Sequence, residues 1–250
     1  MLRMILAKEC QALLQSPSAW AMLALLQVLL AAVFLMQIDA FMQLKPQLAA
    51  LAQPPGITEI IIRPLYSNAA VLLLLLTPLL TMRGIAEEKR QHSLTLLLAA
   101  PVSSHVIILA KFLALWGWSG ISVVLTSLMS FSLLLAGRLD VGLWLANVLG
   151  LGLLSAAFCA LGLAMSSRFR HPVSAALTSF AVLLPLWLLD GFNQSRPRPD
   201  PVLDYLAMPG HWQRLQSGLL DSGDISYFLL FTLLCLGAAI RSFEWQRLNP

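Results

Sequence analysis

Six long apolar runs, separated by short polar or charged stretches, constrain this 250-residue chain more than any motif does. They fall near Ala19 to Gln37, Ala69 to Met82, Val106 to Leu135, Leu143 to Met165, Val173 to Leu189 and Tyr227 to Ala239. A helix needs roughly 17 to 25 predominantly apolar residues to cross the hydrocarbon of a bilayer. The second run is short for that and is expected to begin nearer Leu65. Residues 1–250 are thus expected to form a single all-α, polytopic integral membrane domain with six transmembrane helices.

Composition agrees with lipid as the solvent. With 58% hydrophobic and 11% charged residues, the chain carries more apolar surface than one water-soluble core can hide. The formal charge of +4 invites a nucleic-acid reading. The basic residues, however, lie in short clusters between apolar runs and form no continuous basic face, so no nucleic-acid partner is expected. Cys10, Cys159 and Cys235 are far apart and read as small packing residues. The first run follows Arg3, Lys8 and Glu9 and is longer than a signal-peptide core, so it is expected to be retained as a span.

Residues 1–16 place Leu2, Leu6, Cys10 and Leu13 on one helical face and Lys8, Gln11 and Gln15 on the other, the pattern of a helix lying in the membrane interface. Glu9 falls near the apolar side and weakens the pattern. Ser16 and Pro17 then break the helix before the first span.

Lys and Arg concentrate on the cytoplasmic side of membrane proteins. With the N-terminus inside, ten of the 16 basic residues fall inside: Arg3, Lys8, Arg83, Lys89, Arg90, Lys111, Arg168, Arg170, Arg241 and Arg247. Lys45, Arg63, Arg138, Arg196, Arg198 and Arg214 fall outside, and eight of the 12 acidic residues join them. Both termini are expected in the cytoplasm. Two outer stretches, 40–64 and 190–226, exceed simple turns. In the second, Leu203, Leu206, Trp212, Leu215 and Leu219 suit short amphipathic helices on the outer leaflet.

The chain offers little catalytic chemistry. Its histidines lie in loops or at span ends, and no Asp, Glu, Lys or Arg stands near the middle of a span, where a proton- or ion-driven carrier needs one. Lys111 sits close enough to the inner edge to snorkel. Gly117-Trp118-Ser119-Gly120 matches the GxSG motif of intramembrane serine proteases, yet a serine nucleophile needs a base within hydrogen-bond reach. No histidine or lysine lies at that depth. Ser119, Ser122, Thr126 and Ser130 share one helical face, which serves either helix packing or a substrate pathway. Gly150, Gly152, Ser155, Ala156, Ala160 and Gly162 read as packing. Trp20, Trp144, Trp187 and Trp245 look like interfacial anchors, while Trp116 and Trp118 fit no such role.

The most informative stretch is 82–112, MRGIAEEKRQHSLTLLLAAPVSSHVIILAKF, between the second and third spans. Arg83, Glu87, Glu88, Lys89 and Arg90 are followed by Leu94, Leu96, Leu97 and Leu98, and Pro101 ends the helix. That is either a solvated charged face or a short helix for a cytoplasmic protein to grip. The pattern resembles the permease subunits of ABC-2 type exporters, particularly the GldF-like, gliding-motility subgroup. Met82, Arg83, Ala86, Glu87, Glu88, Lys89, Arg90, Leu96, Leu97, Leu98, Pro101, Val102 and Lys111 match it. His92, Ser93 and Ala110 depart from it. Residues 7–20 are similar to the family's elbow helix, and 217–248 to its usual end.

The resemblance implies two permease subunits, as a homo- or heterodimer, forming a pathway for export across a bacterial inner membrane. It also implies two cytoplasmic ABC ATPase subunits that hold ATP and magnesium, since this chain has no P-loop, and leaves room for an accessory protein on the outer side. Residues 82–101 would be the coupling helix. Arg83, Glu87, Glu88 and Arg90 would make polar contacts with the ATPase, and Leu96, Leu97 and Pro101 the apolar part. A protease acting through Ser119, or a non-ABC scaffold or carrier, remains the alternative.

Overall fold

The computed structural model describes residues 2–48, 56, 58–90, 103–135, 140–196, 200–218 and 221–248. They are helical almost throughout, with no strand among them. Six helices are long and apolar enough to cross a membrane, so the chain is an all-α polytopic membrane protein.

α1, Leu2–Leu14, and α2, Pro17–Leu48, meet at a sharp corner. Pro17 starts the second helix at a position where its missing N–H costs nothing. Across the corner the Trp20 indole N–H donates to the Leu14 carbonyl (2.8 Å), satisfying an acceptor that the helix end leaves open. α2 continues as far as Leu48, into the outer stretch 40–64 that the sequence marks as a loop. Helix resumes with a π-helical turn, Thr58–Ile62, leading into α3, Arg63–Thr81. The second span therefore starts earlier than its apolar run, as expected for the short segment. After it come α4, Ala86–Arg90, and α5, Ser104–Phe131.

α6, Val141–Arg168, is capped by Asp140, whose carboxylate accepts from the Leu143 N–H (3.1 Å). α7, Pro172–Gln194, precedes two short helices, α8, Pro201–Leu206, and α9, Met208–Gln216. α10, Ser222–Leu248, extends well beyond the run read from Tyr227 to Ala239.

α6 is the centre of the bundle and packs on α3, α5, α7, α9 and α10. Of its most apolar window 72% is buried, against 17% for α2. Small residues allow that approach. A Cβ on Gly162 would come within 2.0 Å of Thr81 Oγ1, and one on Gly150 within 2.9 Å of the Trp212 ring. Gly152, in contrast, faces open space and contributes its carbonyl, which accepts from the Trp116 indole (3.0 Å).

Several expectations change here. Trp212 and Leu215 are buried within the protein instead of lying on a leaflet, because α9 tucks against α6. Leu206 stays exposed, and Leu219 lies outside the described residues. Trp144 and Trp187 are half-buried and pack on Phe131 and Phe158, with ring centroids 5.8 and 6.3 Å apart. Trp20 and Trp245 remain exposed, as anchors would be.

Candidate functional site

The chain leaves α3 at Thr81, turns through 82–85 and enters α4 at the end of the bundle that also carries both termini. Ser166 near the end of α6 pins this turn. Its hydroxyl accepts from the Ile85 and Ala86 N–H groups (3.0 Å each) and donates to the Met82 carbonyl (3.1 Å). Two orphan donors at the start of α4 are thereby satisfied by one side chain. The Lys89 ammonium donates to the Ser167 carbonyl, which also accepts from Ser242 (3.1 Å) and Gln246 (2.8 Å). α4 is thus tied to α6 and, through the same carbonyl, to α10.

Against this turn lies an ion cluster. Lys111 of α5 is 2% exposed, with its ammonium 3.0 Å from Glu9 of α1 and 2.8 Å from Glu88 of α4. A buried lone ammonium is costly, and pairing with well-placed carboxylates offsets that cost. One positive charge faces two negative ones, so removing either partner has different consequences. Lys111 does not snorkel to water, as its position near the span end suggested, because two carboxylates reach it first. The off-pattern Glu9 is explained by the same contact: α1 packs along α5, and its apolar side carries one of the two acids that hold Lys111.

Of the other residues singled out in 82–101, Arg83 is exposed and donates to the Ser18 hydroxyl (3.0 Å) at the start of α2. Glu87 and Arg90 form a pair along α4, at 2.7 Å, with the Arg90 side chain 58% and that of Glu87 24% exposed. Leu96, Leu97 and Pro101 lie outside the described residues. Glu9, Lys111 and Ser166 are the residues that sequence reasoning undervalued. Glu9 signalled itself as an acid on an apolar face, and Lys111 as an isolated charge at the head of an apolar run. Ser166 gave no signal.

The hydroxyl face of α5 is buried, and each group is spent on its own helix. Ser119 donates to the Trp116 carbonyl (2.9 Å), Ser122 to Ser119, Thr126 to Ser122 (2.8 Å) and Ser130 to Thr126 (2.9 Å). Such back-bonding satisfies hydroxyls that face apolar neighbours. Beyond its own helix Ser119 meets only the Cys159 thiol, at 3.7 Å, so no base stands within reach of it among the described residues. Trp118, unexplained in the sequence, is buried and meets Trp20 edge to face at 5.0 Å.

A second ion cluster occupies the opposite end. The Asp224 carboxylate, at the start of α10, binds Arg214 of α9 (2.7 to 3.1 Å) and lies 2.6 Å from His211 Nδ1. The far ring nitrogen, Nε2, is 2.9 Å from the Tyr205 carbonyl, which can only accept, so Nε2 carries a proton. Tyr227 stacks on the imidazole at 4.0 Å. Hydrogen bonds to Asp224, the largest influence, raise the Arg214 pKa above its ordinary value and hold the guanidinium charged.

Six helices long and apolar enough to cross a membrane define a multi-pass membrane protein. A family model described as ABC-2 family transporter protein matches residues 6–192, more than half of the chain. The chain belongs to that family and is a transporter permease. No curated protein matches it.

Proposed function

We propose that this permease is one half of the membrane pathway of an ATP-driven exporter of the gliding-motility type. It works as a dimer with a second permease subunit in a bacterial inner membrane, with both termini in the cytoplasm. Two ATPase subunits, holding ATP and magnesium, dock beneath the end that bears α1 and α4. The excess of Lys and Arg at that end supports the orientation.

The observation that carries the proposal is Lys111 held by Glu9 and Glu88. A push delivered to α4 from below meets no slack. Through Glu88 it reaches Lys111 and α5, through Glu9 it reaches α1, and through Ser166 and Lys89 it reaches α6. Packed elements joined in this way move together, which is what coupling hydrolysis to a pathway requires. Arg90, exposed on α4, and its partner Glu87 are the groups for an ATPase to contact.

Hypothesis: Glu87→Lys, co-expressed with the ATPase, abolishes stimulation of ATP turnover while the permease stays inserted and dimeric. The double charge reversal at Glu87 and Glu88 does the same and also disturbs Lys111. Unchanged ATP turnover and transport in both variants would overturn the assignment of this segment. Failure to co-purify any P-loop ATPase from native membrane would overturn the ATP-driven mechanism itself.

A further inference from the structure

Next to the Lys111 cluster a cavity of about 260 Å³ opens between α1, the start of α2, the end of α3 and the start of α5. Its lining divides by chemistry. Lys8, Glu9, Arg83, Glu87, Glu88 and Lys111 supply polar groups, and Leu13, Met22, Leu79, Leu80, Ala114 and Leu115 the apolar wall. A narrow apolar groove continues from it between α2, α3 and α5, with Met22 and Leu80 lining both. The groove passes Leu26, Leu73 and Trp118 and ends at Ser119 and Ser122. At about 30 Å³ it is too small to swallow a hydrocarbon chain and suits one lying along it from the bilayer side. From Lys111 to Ser122 the helical rise of ~1.5 Å per residue covers about 16 Å, roughly half the hydrocarbon thickness of ~30 Å.

Charge decides what sits in the polar part. Glu9 and Glu88 are occupied with Lys111, and Glu87 pairs with Arg90. Lys8 and Arg83 are exposed, and neither forms an ion pair among the described residues. Arg83 is held over the cavity by its bond to Ser18. Two cations at the mouth of an apolar groove complement an anion carried on a hydrocarbon chain, and arginine is well suited to a phosphate. The flank of α2 beside the groove is exposed and apolar at Leu25, Val28 and Leu29, so a ligand can enter sideways from lipid.

We propose that this cavity and groove form a binding site for one phospholipid of the adjacent leaflet, its phosphate held by Arg83 and Lys8 and one acyl chain laid along Met22, Leu26 and Trp118. The site needs only that the bundle sits in a bilayer and stands independently of how transport is driven. Its occupant closes the gap between α1, α2 and α5 and tethers the ion cluster to the membrane.

The test uses the full-length permease in phosphatidylethanolamine vesicles containing a trace of phosphatidylethanolamine with a photoreactive group in one acyl chain. Cross-linked peptides are mapped by mass spectrometry. The expected result is labelling concentrated on Met22, Leu26, Leu73 and Trp118, reduced roughly fivefold by the Lys8→Ala/Arg83→Ala double variant and by Met22→Trp. Thermal unfolding of each variant identifies any that fails to fold, and wild-type competition then carries the test. Unlabelled phosphatidylethanolamine should displace the label, and water-soluble glycerophosphoethanolamine should not. Labelling spread evenly over the exposed faces of α2 and α7, or unaltered in well-folded variants, would overturn the site. Equal displacement by the chain-free head group would overturn the lipid in favour of a soluble phosphate.

Discussion

The two ends of the bundle both bury ionised side chains, but they connect different things. At the end bearing both termini, Lys111 joins α5 to Glu9, on a helix far away in sequence, and to Glu88, 23 residues earlier. At the opposite end, Asp224 binds Arg214 and His211, which lie on the helix immediately before it. The first cluster joins segments far apart in the sequence, whereas the second closes one local corner. Exposure is distributed differently as well: in the first cluster the lysine is 2% exposed and its two acids 19% and 22%, while in the second Asp224 and His211 are each 3% exposed and Arg214 44%. A long-range cluster transmits displacement between elements, and a local one staples a corner in place.

Substitutions test that contrast, from the strongest to the weakest. Lys111→Met leaves Glu9 and Glu88 facing each other without a cation, and breaking a buried pair by removing one partner costs about 3 to 5 kcal/mol. Thermal unfolding in detergent should show the loss, and a shift no larger than those below would dissolve the distinction between the two ends. Asp224→Asn strands His211 but lets Arg214 turn to water, so about 1 to 3 kcal/mol is expected, measured in the same way. Its signature is local, a gain of proteolysis around 205–224 without release of α1.

Glu9→Gln is the sharper probe of the charge count. One carboxylate remains for Lys111, and the amide still offers a hydrogen bond, so about 1 kcal/mol is expected. A loss as large as that of Lys111→Met would show that both acids are required together. Glu87→Gln removes the ion pair with the exposed Arg90, worth about 0 to 1 kcal/mol. Under the proposed coupling it should lower ATPase stimulation out of proportion to that, a split between stability and coupling that a merely solvated pair would not produce.

Much of the fold was legible because its signals are local. Apolar runs mark the spans, and Ser16–Pro17 marks the break before the first of them. The close approach at Gly150 and Gly162 was readable as packing, though not the partners, Trp212 and Thr81. Less could be seen of the site. Trp212 and Leu215 are greasy whether they meet lipid or protein, since hydropathy cannot tell the two solvents apart. The hydroxyl face of α5 offered packing or a pathway, and only its hydrogen bonds reveal groups already satisfied by their own backbone.

Sequence alone was enough to establish an all-α protein dissolved in lipid, because a membrane span is defined by length and polarity, both local quantities. It also singled out the charged segment after the second span, on composition and family likeness. Only the tertiary structure decided that Glu88 pairs with a buried lysine while Glu87 pairs with the exposed Arg90, and that Glu9, an apparent flaw in an amphipathic helix, is the third member of the cluster. An ion pair between residues so far apart in the chain depends on where helices pack in three dimensions, and periodicity along one helix carries no record of the neighbour that will face it.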